Sequence, residues 1–318
     1  MYDVVGIATP CMDLAMNVDR LPTRNSGARL ENYSFQGGGK IATGMVAAAR
    51  LGAKCALLGT CGDDIFGKAC YADFVRHGIF MDSFLVRPGT STDLSLVISD
   101  RETSGRSIMY KPGTCGRMTF DKLDKTLLEN CRYFFISDFS ELALESAAYA
   151  KAHGARVFID ADGYRESMEA HIPITDVFVA SEFVYNGLFG DENYRDNCMK
   201  ILDIGPSIVV FTFGERGCVG MDEEGFFNIP AYQVEAVDTV GAGDVFHGAF
   251  LAGLLKGWST KEVARFSCAV SAIKCTRPGG RAGIPSMENA LQFIRTGVYD
   301  TAELDERTEY YQRGLEHV

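Results

Sequence analysis

The stretch DTVGAGDVFHG, Asp238 to Gly248, sets three small residues directly before an aspartate and then runs into apolar sequence. Phe246, Ala249, Phe250 and Gly253 recur at i, i+3, i+4 and i+7, so a helix is predicted to begin near Gly243. The first turn of a helix has backbone N–H groups without partners and carries roughly half a positive charge. Gly241, Ala242 and Gly243 would let an anion approach those amides closely. Asp244 would repel a phosphate, but it stands where it could take a proton from a hydroxyl attacking one. The chemistry this suggests is phosphoryl transfer, with Asp244 as base and the amides stabilising the transferred charge. The competing account is a tight turn followed by a carboxylate that only complements the helix dipole.

Two other nucleotide motifs fail on inspection. GAGDVFHG is not GxGxxG, because Phe246 holds the last glycine position. GDDIFGKA, from Gly62, approaches a phosphate-binding P-loop, but Ala69 replaces the magnesium-binding hydroxyl and two aspartates would sit among the phosphates.

The elements that must position Asp244 come from alternating patterns. DVVGIA, KCALLGT, RYFFIS, ARVFIDA, DVFVA and SIVVFTF read as strands, most followed by a helical pattern, which predicts a parallel sheet covered by helices. LSLVIS and RSIMY flank a turn-like DRETSG and predict antiparallel strands of a small separate sheet. Ser259 and Glu262 form a capping-box signature for the helix after Gly257. The chain divides into a main domain over 1–300 and a charged tail over 301–318, expected to be an exposed helix.

Composition narrows the class. The 318 residues are 47% hydrophobic and 23% charged, enough apolar content for a large core. A net charge of −11 argues against nucleic acid as a partner and against a polybasic membrane anchor. The ten cysteines lie in apolar or helical patterns without a CxxC pair, which predicts reduced thiols in a cytoplasm. No secretory pattern opens the chain and no run has the length of a membrane span.

Several motifs in order resemble the PfkB/ribokinase family of carbohydrate kinases. They are GGGKIATGMVAAARLGA (Gly37 to Ala53), GTCGDDIFG, TFGERG (Thr212 to Gly217), DTVGAGD and TRPGG (Thr276 to Gly280). Within the family, the first of these with GAGDVFHGAF and KCTRPGGRAGIP resembles the sulfofructose kinase group. That group holds its sulfonate with basic and amide side chains where this chain has Ala28, Tyr110 and Phe139, so no substrate identity follows.

The resemblance implies a ribokinase-like three-layer α/β sandwich with a mostly parallel central sheet and a small β-sheet lid, from segments 14–36 and 88–112. It implies an ATP-dependent sugar kinase, with Mg²⁺ arriving with ATP and a homodimer formed through the lid. Asp13, Gly38, Gly39, Lys40, Thr43 and Lys111 would contact the sugar, although a lone lysine is more often solvated. Thr212, Gly214, Gly217, Asp160, Asp162 and Glu182 would face the nucleotide. Asp238, with carbonyls near Val240 and Gly279, could hold K⁺ or could only fix its loop. His247 is read as packing. Thr43 stands where the family often has Asn, and SEFV, with Ser181 and Val184, replaces the family's NxxE. A nucleoside kinase with a base pocket lined by Phe139 and Tyr110, and a non-catalytic sugar or nucleotide sensor, are the alternatives.

Overall fold

A computed structural model describes residues 1–102 and 105–316. In chain order it begins with β1 (Tyr2–Ala8), β2 (Cys11–Val18), β3 (Leu30–Gly38), α1 (Lys40–Arg50), β4 (Cys55–Gly62) and α2 (Ile65–Arg76). Next come β5 (Phe84–Arg87), β6 (Asp93–Asp100), β7 (Arg106–Lys111), α3 (Lys125–Glu129), β8 (Cys131–Ile136) and α4 (Glu141–Ala152). The middle contains β9 (Arg156–Ala161), β10 (Val177–Ser181), α5 (Glu182–Leu188), α6 (Tyr194–Leu202), β11 (Ile208–Thr212), β12 (Cys218–Asp222) and β13 (Gly225–Ile229). Four helices close the chain: α7 (Ala242–Leu255), α8 (Thr260–Cys275), α9 (Met287–Thr296) and α10 (Thr301–Gln312).

All six apolar runs read as strands enter one nine-stranded sheet, ordered β13-β12-β11-β10-β9-β8-β1-β4-β5. It is parallel from β11 to β5; β12 and β13 run antiparallel at one edge. Both faces are covered, which explains why the strands read as unbroken apolar runs. Val4, Phe135, Phe158 and Val179 enter one core with α1, α7 and α8, while Val5, Phe134, Val157 and Phe178 enter the other with α4. The two cores are separated by the period-two alternation of the strands.

A second sheet, ordered β3-β2-β6-β7, is built from the two irregular segments. β6 and β7 are antiparallel as expected, β2 and β3 are antiparallel as well, and β2 and β6 run parallel. The expected DRETSG turn includes residues 103–104, which lie outside the described residues. All ten cysteines are buried and unpaired. Among the described residues no helix is long and apolar enough to cross a membrane.

The charged tail departs from expectation. It is helical, but Leu304, Arg307 and Tyr311 of α10 are buried. Arg307 donates to the carbonyls of Arg281 and Ala282, and the Tyr311 hydroxyl donates to Asp73 at 2.9 Å. Leu304 and Tyr311, together with the hydrogen bonds of Arg307 and Tyr311, seat it.

Candidate active site

A cleft of about 950 Å³ lies between the second sheet and the C-terminal ends of the parallel strands, the place where open α/β sheets take ligands. Strand register builds its outer wall. Asp13 on β2 lies opposite Ser95 on β6, which lies opposite Tyr110 on β7, so the three share the inner face. The Cys11 thiol contacts the Ser95 hydroxyl at 3.1 Å. Tyr110 donates to Asp93, which also accepts the Gly113 N–H at 2.7 Å.

Asp13 requires its neighbour to be glycine: a Cβ on Gly38 would lie 2.1 Å from the Asp13 carboxylate. Burial pushes the Asp13 carboxyl up to about 6, against the lowering effect of the Arg281 guanidinium. Gly39 lines the cleft with φ of 91°, a conformation that favours glycine. Gly38 therefore makes room for a cleft side chain, while Gly39 itself lies against the space.

The floor is formed by α1 and α7. They cross where a Cβ on Gly248 would lie 2.2 Å from the Gly44 carbonyl, so neither helix can move apart without opening the core. This crossing brings Lys40, first residue of α1, and Asp244, in the first turn of α7, into one cleft. Gly241 caps α7 in the left-handed region, φ 72°, and a Cβ on Gly243 would meet nothing within 4 Å. The α7 N-terminus thus opens toward the cavity.

Below it, Asp160 is the penultimate residue of β9, and Lys40 pairs with Asp162 at 2.9 Å. Burial and then the charge of Asp160 raise the Asp244 pKa, and His247 and Lys40 oppose this. Asp160 is raised by burial as well, against Lys40. Burial works against the Lys40 ammonium, yet Asp162, Asp160 and Asp244 together raise its pKa. His247 is buried and its pKa is lowered, chiefly by burial. Its Nδ1 lies 2.6 Å from the Gly243 carbonyl and 3.5 Å from Asp160. A carbonyl only accepts, so Nδ1 carries a proton and fixes the first turn of α7. His247 therefore packs, as expected, and also ties the anion-binding turn to the helix behind it.

Thr212 and Gly214 line the far end of the cleft with Asp160, Asp162 and Ser181. The Ser181 hydroxyl donates to the Asp162 carbonyl at 2.7 Å. Val184, at the last NxxE position, is core. Among the described residues no three His, Cys, Asp or Glu side chains are grouped to hold a metal. Asp160 and Asp162 are the cleft carboxylates that could hold Mg²⁺ together with substrate phosphates, the way that ion is commonly bound.

Besides Gly38, four residues expected to face the sugar or the nucleotide lie outside the lining. Thr43 is on the buried face of α1. Lys111, opposite Leu94, has the strand parity that turns it away from the cleft. Glu182 pairs with Arg216 at 2.6 Å. Gly217, φ 94°, serves the turn before β12, where a Cβ would lie 2.1 Å from the Ile229 carbonyl. Phe139 packs on His171 instead of lining an aromatic base pocket with Tyr110.

Among the oxygens expected to hold K⁺, those of Asp238 are already engaged. The Asp238 carboxylate accepts N–H groups from Val240 and Gly279, each at 2.9 Å, and the Ser99 hydroxyl at 3.3 Å. Gly279 presents its N–H there, which opposes a cation. The Asp238 carbonyl accepts the Lys274 ammonium at 2.9 Å, and the Pro278 carbonyl accepts Gln36 at 2.9 Å. Asp238 fixes two loops to each other, and its oxygens, turned to N–H, hydroxyl and ammonium donors, do not fit K⁺.

Sequence reading missed Arg281. Fully buried, it binds Asp73 at 2.7 Å and reaches the Gly38 carbonyl at 3.3 Å, and a Cβ on Gly37 would strike its guanidinium. The available signal was an arginine flanked by glycines in PGGRAG. Arg106 and Arg117, which also line the cleft, carried no such signal.

Comparison with known proteins gives the family and the fold. The pattern described as pfkB family carbohydrate kinase matches residues 1–287. A deoxyribokinase of Salmonella typhi is 26% identical over 304 residues, spanning 92% of this chain and 98% of the relative. A fructokinase of Solanum tuberosum is 26% identical over 300 residues, spanning 89% and 94%. The structure of Arabidopsis thaliana ribokinase complexed with ribose and ATP superposes with a TM-score of 0.77 at 20% identity, covering 92% of this chain and 99% of that one. The last likeness concerns the fold alone.

Proposed function

The chain belongs to the pfkB family of carbohydrate kinases, phosphotransferases with an alcohol acceptor, and from that premise we propose that it transfers the γ-phosphoryl of Mg-ATP to a primary hydroxyl of a sugar or sugar derivative. The observation that carries this is the position of Asp244 beside the open α7 N-terminus, inside a cleft whose other wall presents Asp13, Ser95 and Asp93. Asp244 takes the hydroxyl proton, and the amides of Gly241, Ala242 and Gly243 stabilise charge on the transferred group. Asp13 accepts hydrogen bonds from sugar hydroxyls, in a position maintained by Gly38; Gly39 lets the ligand approach backbone.

Thr212 and Gly214 face the nucleotide. Asp160 and Asp162 supply the carboxylates nearest its phosphates, where Mg²⁺ neutralises charge when bound with ATP. Lys40, tethered to Asp162, brings its ammonium to the same phosphates. The second sheet acts as a lid that excludes water, a competing acceptor.

The Tyr110 hydroxyl is engaged by Asp93 and Phe139 lies elsewhere, which favours a sugar over a nucleoside. Arg106 and Arg117 give an anionic substituent a place to bind. Leu30, Tyr33 and Met109 are exposed on the second sheet and support a homodimer through it. Buried, unpaired cysteines suit a cytoplasmic protein.

The test is ADP release from Mg-ATP against ketoses, aldoses, sugar acids, sulfosugars and nucleosides. Turnover of one sugar class is expected. Compounds that raise the melting temperature without any releasing ADP would overturn the kinase reading in favour of a sensor.

A further inference from the structure

Lys274 lies in the last turn of α8, where the helix dipole favours a cation. Its side chain is fully buried, and among the described residues no carboxylate lies within ion-pair distance of it. A buried ammonium is costly unless hydrogen-bonded, and the bond it makes is to the backbone carbonyl of Asp238 at 2.9 Å. That carbonyl belongs to the loop leading into the α7 N-terminus. Within the loop, Val240 N–H binds the Asp238 carboxylate at 2.9 Å and Ala242 N–H binds the Thr239 carbonyl at 3.2 Å. A displacement of Asp238 is therefore passed to the anion-binding amides.

We infer that Lys274 is a built-in monovalent cation: its ammonium holds the Asp238 loop in place of K⁺, and phosphoryl transfer proceeds without added K⁺. The ammonium supplies one positive charge and a donor to the Asp238 carbonyl, where a bound monovalent ion would supply charge to the same oxygen. The Gly279 N–H at the Asp238 carboxylate and the Gln36 amide at the Pro278 carbonyl complete a loop closed by donors of the chain itself. Lys274 acts through the loop and is a positioning residue. The inference rests on the kinase reading only for its activity measurement.

The experiment compares the full-length protein with Lys274→Ala in tetramethylammonium chloride and in potassium or ammonium chloride at equal ionic strength, following melting temperature and ADP release. Both quantities in the unmodified chain should be the same in all three salts. Lys274→Ala should lose about tenfold or more in turnover in tetramethylammonium, and K⁺ or NH₄⁺ should restore turnover and melting temperature together. A buried lysine with only a packing role would show no such ion-specific recovery.

A K⁺-specific rise in melting temperature or turnover of the unmodified chain would overturn the inference, as would a Lys274→Ala variant that loses nothing or recovers nothing. Should Lys274→Ala fail to fold, the unmodified chain's response to K⁺ decides alone. Failure of the kinase reading would look different: no ADP in any salt, with the melting comparison still decisive for Lys274.

Discussion

The two walls of the cleft are made by different means. The α1–α7 floor is set by backbone contact: a Gly248 Cβ would be 2.2 Å from the Gly44 carbonyl, and every residue from Val245 to Gly253 is buried. The second-sheet wall is a single layer whose outer strand β7 is largely exposed, and its cleft face is joined by side-chain bonds such as Tyr110 to Asp93. The difference assigns tasks. The floor holds the reacting groups at fixed spacing, and the wall can vary with the ligand it selects.

The largest structural effect should come from Gly248→Val, which pushes a branched side chain into the helix crossing. Overpacking of this kind costs about 1–3 kcal/mol or more, so urea unfolding should show the loss, with turnover falling as Lys40 and Asp244 separate. Unchanged stability would mean that the two walls do not differ as described.

Next in size is a pair of opposite pH trends. Burial and Asp160 raise Asp244 to about 7, so the folded chain retains a proton that the unfolded chain releases. The stability contributed is full below the ordinary carboxylate range and is lost as pH rises through about 7. The ionised base required for transfer appears over the same window. Melting temperature should therefore fall while turnover rises, and Asp244→Asn should reduce the stability trend, with Asp160 keeping its own share. Parallel trends would argue that Asp244 is ionised throughout.

The smallest effect separates the two faces of the wall. Ile108 lines the cleft, whereas Met109, one residue on, has the opposite strand parity. Ile108→Ser should raise KM for the sugar. Met109→Ser should leave KM unchanged and stability within about 0.5 kcal/mol, with a shift toward monomer in gel filtration if the sheet pairs between copies.

This contrast also explains what the sequence disclosed. The six apolar runs and GAGD were legible because fully buried strands and a small-residue helix start leave local signatures, and the helix does open at Ala242. Lys111 stands off the lining because its orientation depends on strand parity against β6, which local pattern does not give. Thr43 shares α1 with Lys40, but all positions from Ile41 to Ala48 are buried, a tertiary fact absent from local pattern. The tail concealed Leu304 and Tyr311 among charges. Lys274 and Arg281 read as ordinary charged residues because only long-range partners, Asp238 and Asp73, give them roles.

Asp244→Asn, assayed for turnover and for sugar binding on the same preparation, tests the central claim most directly. The account predicts a fall of about 10²- to 10⁴-fold in turnover with sugar binding retained, because Asp13 and its wall are untouched. Full turnover in the variant would contradict it and leave Asp244 as a helix-terminal carboxylate only.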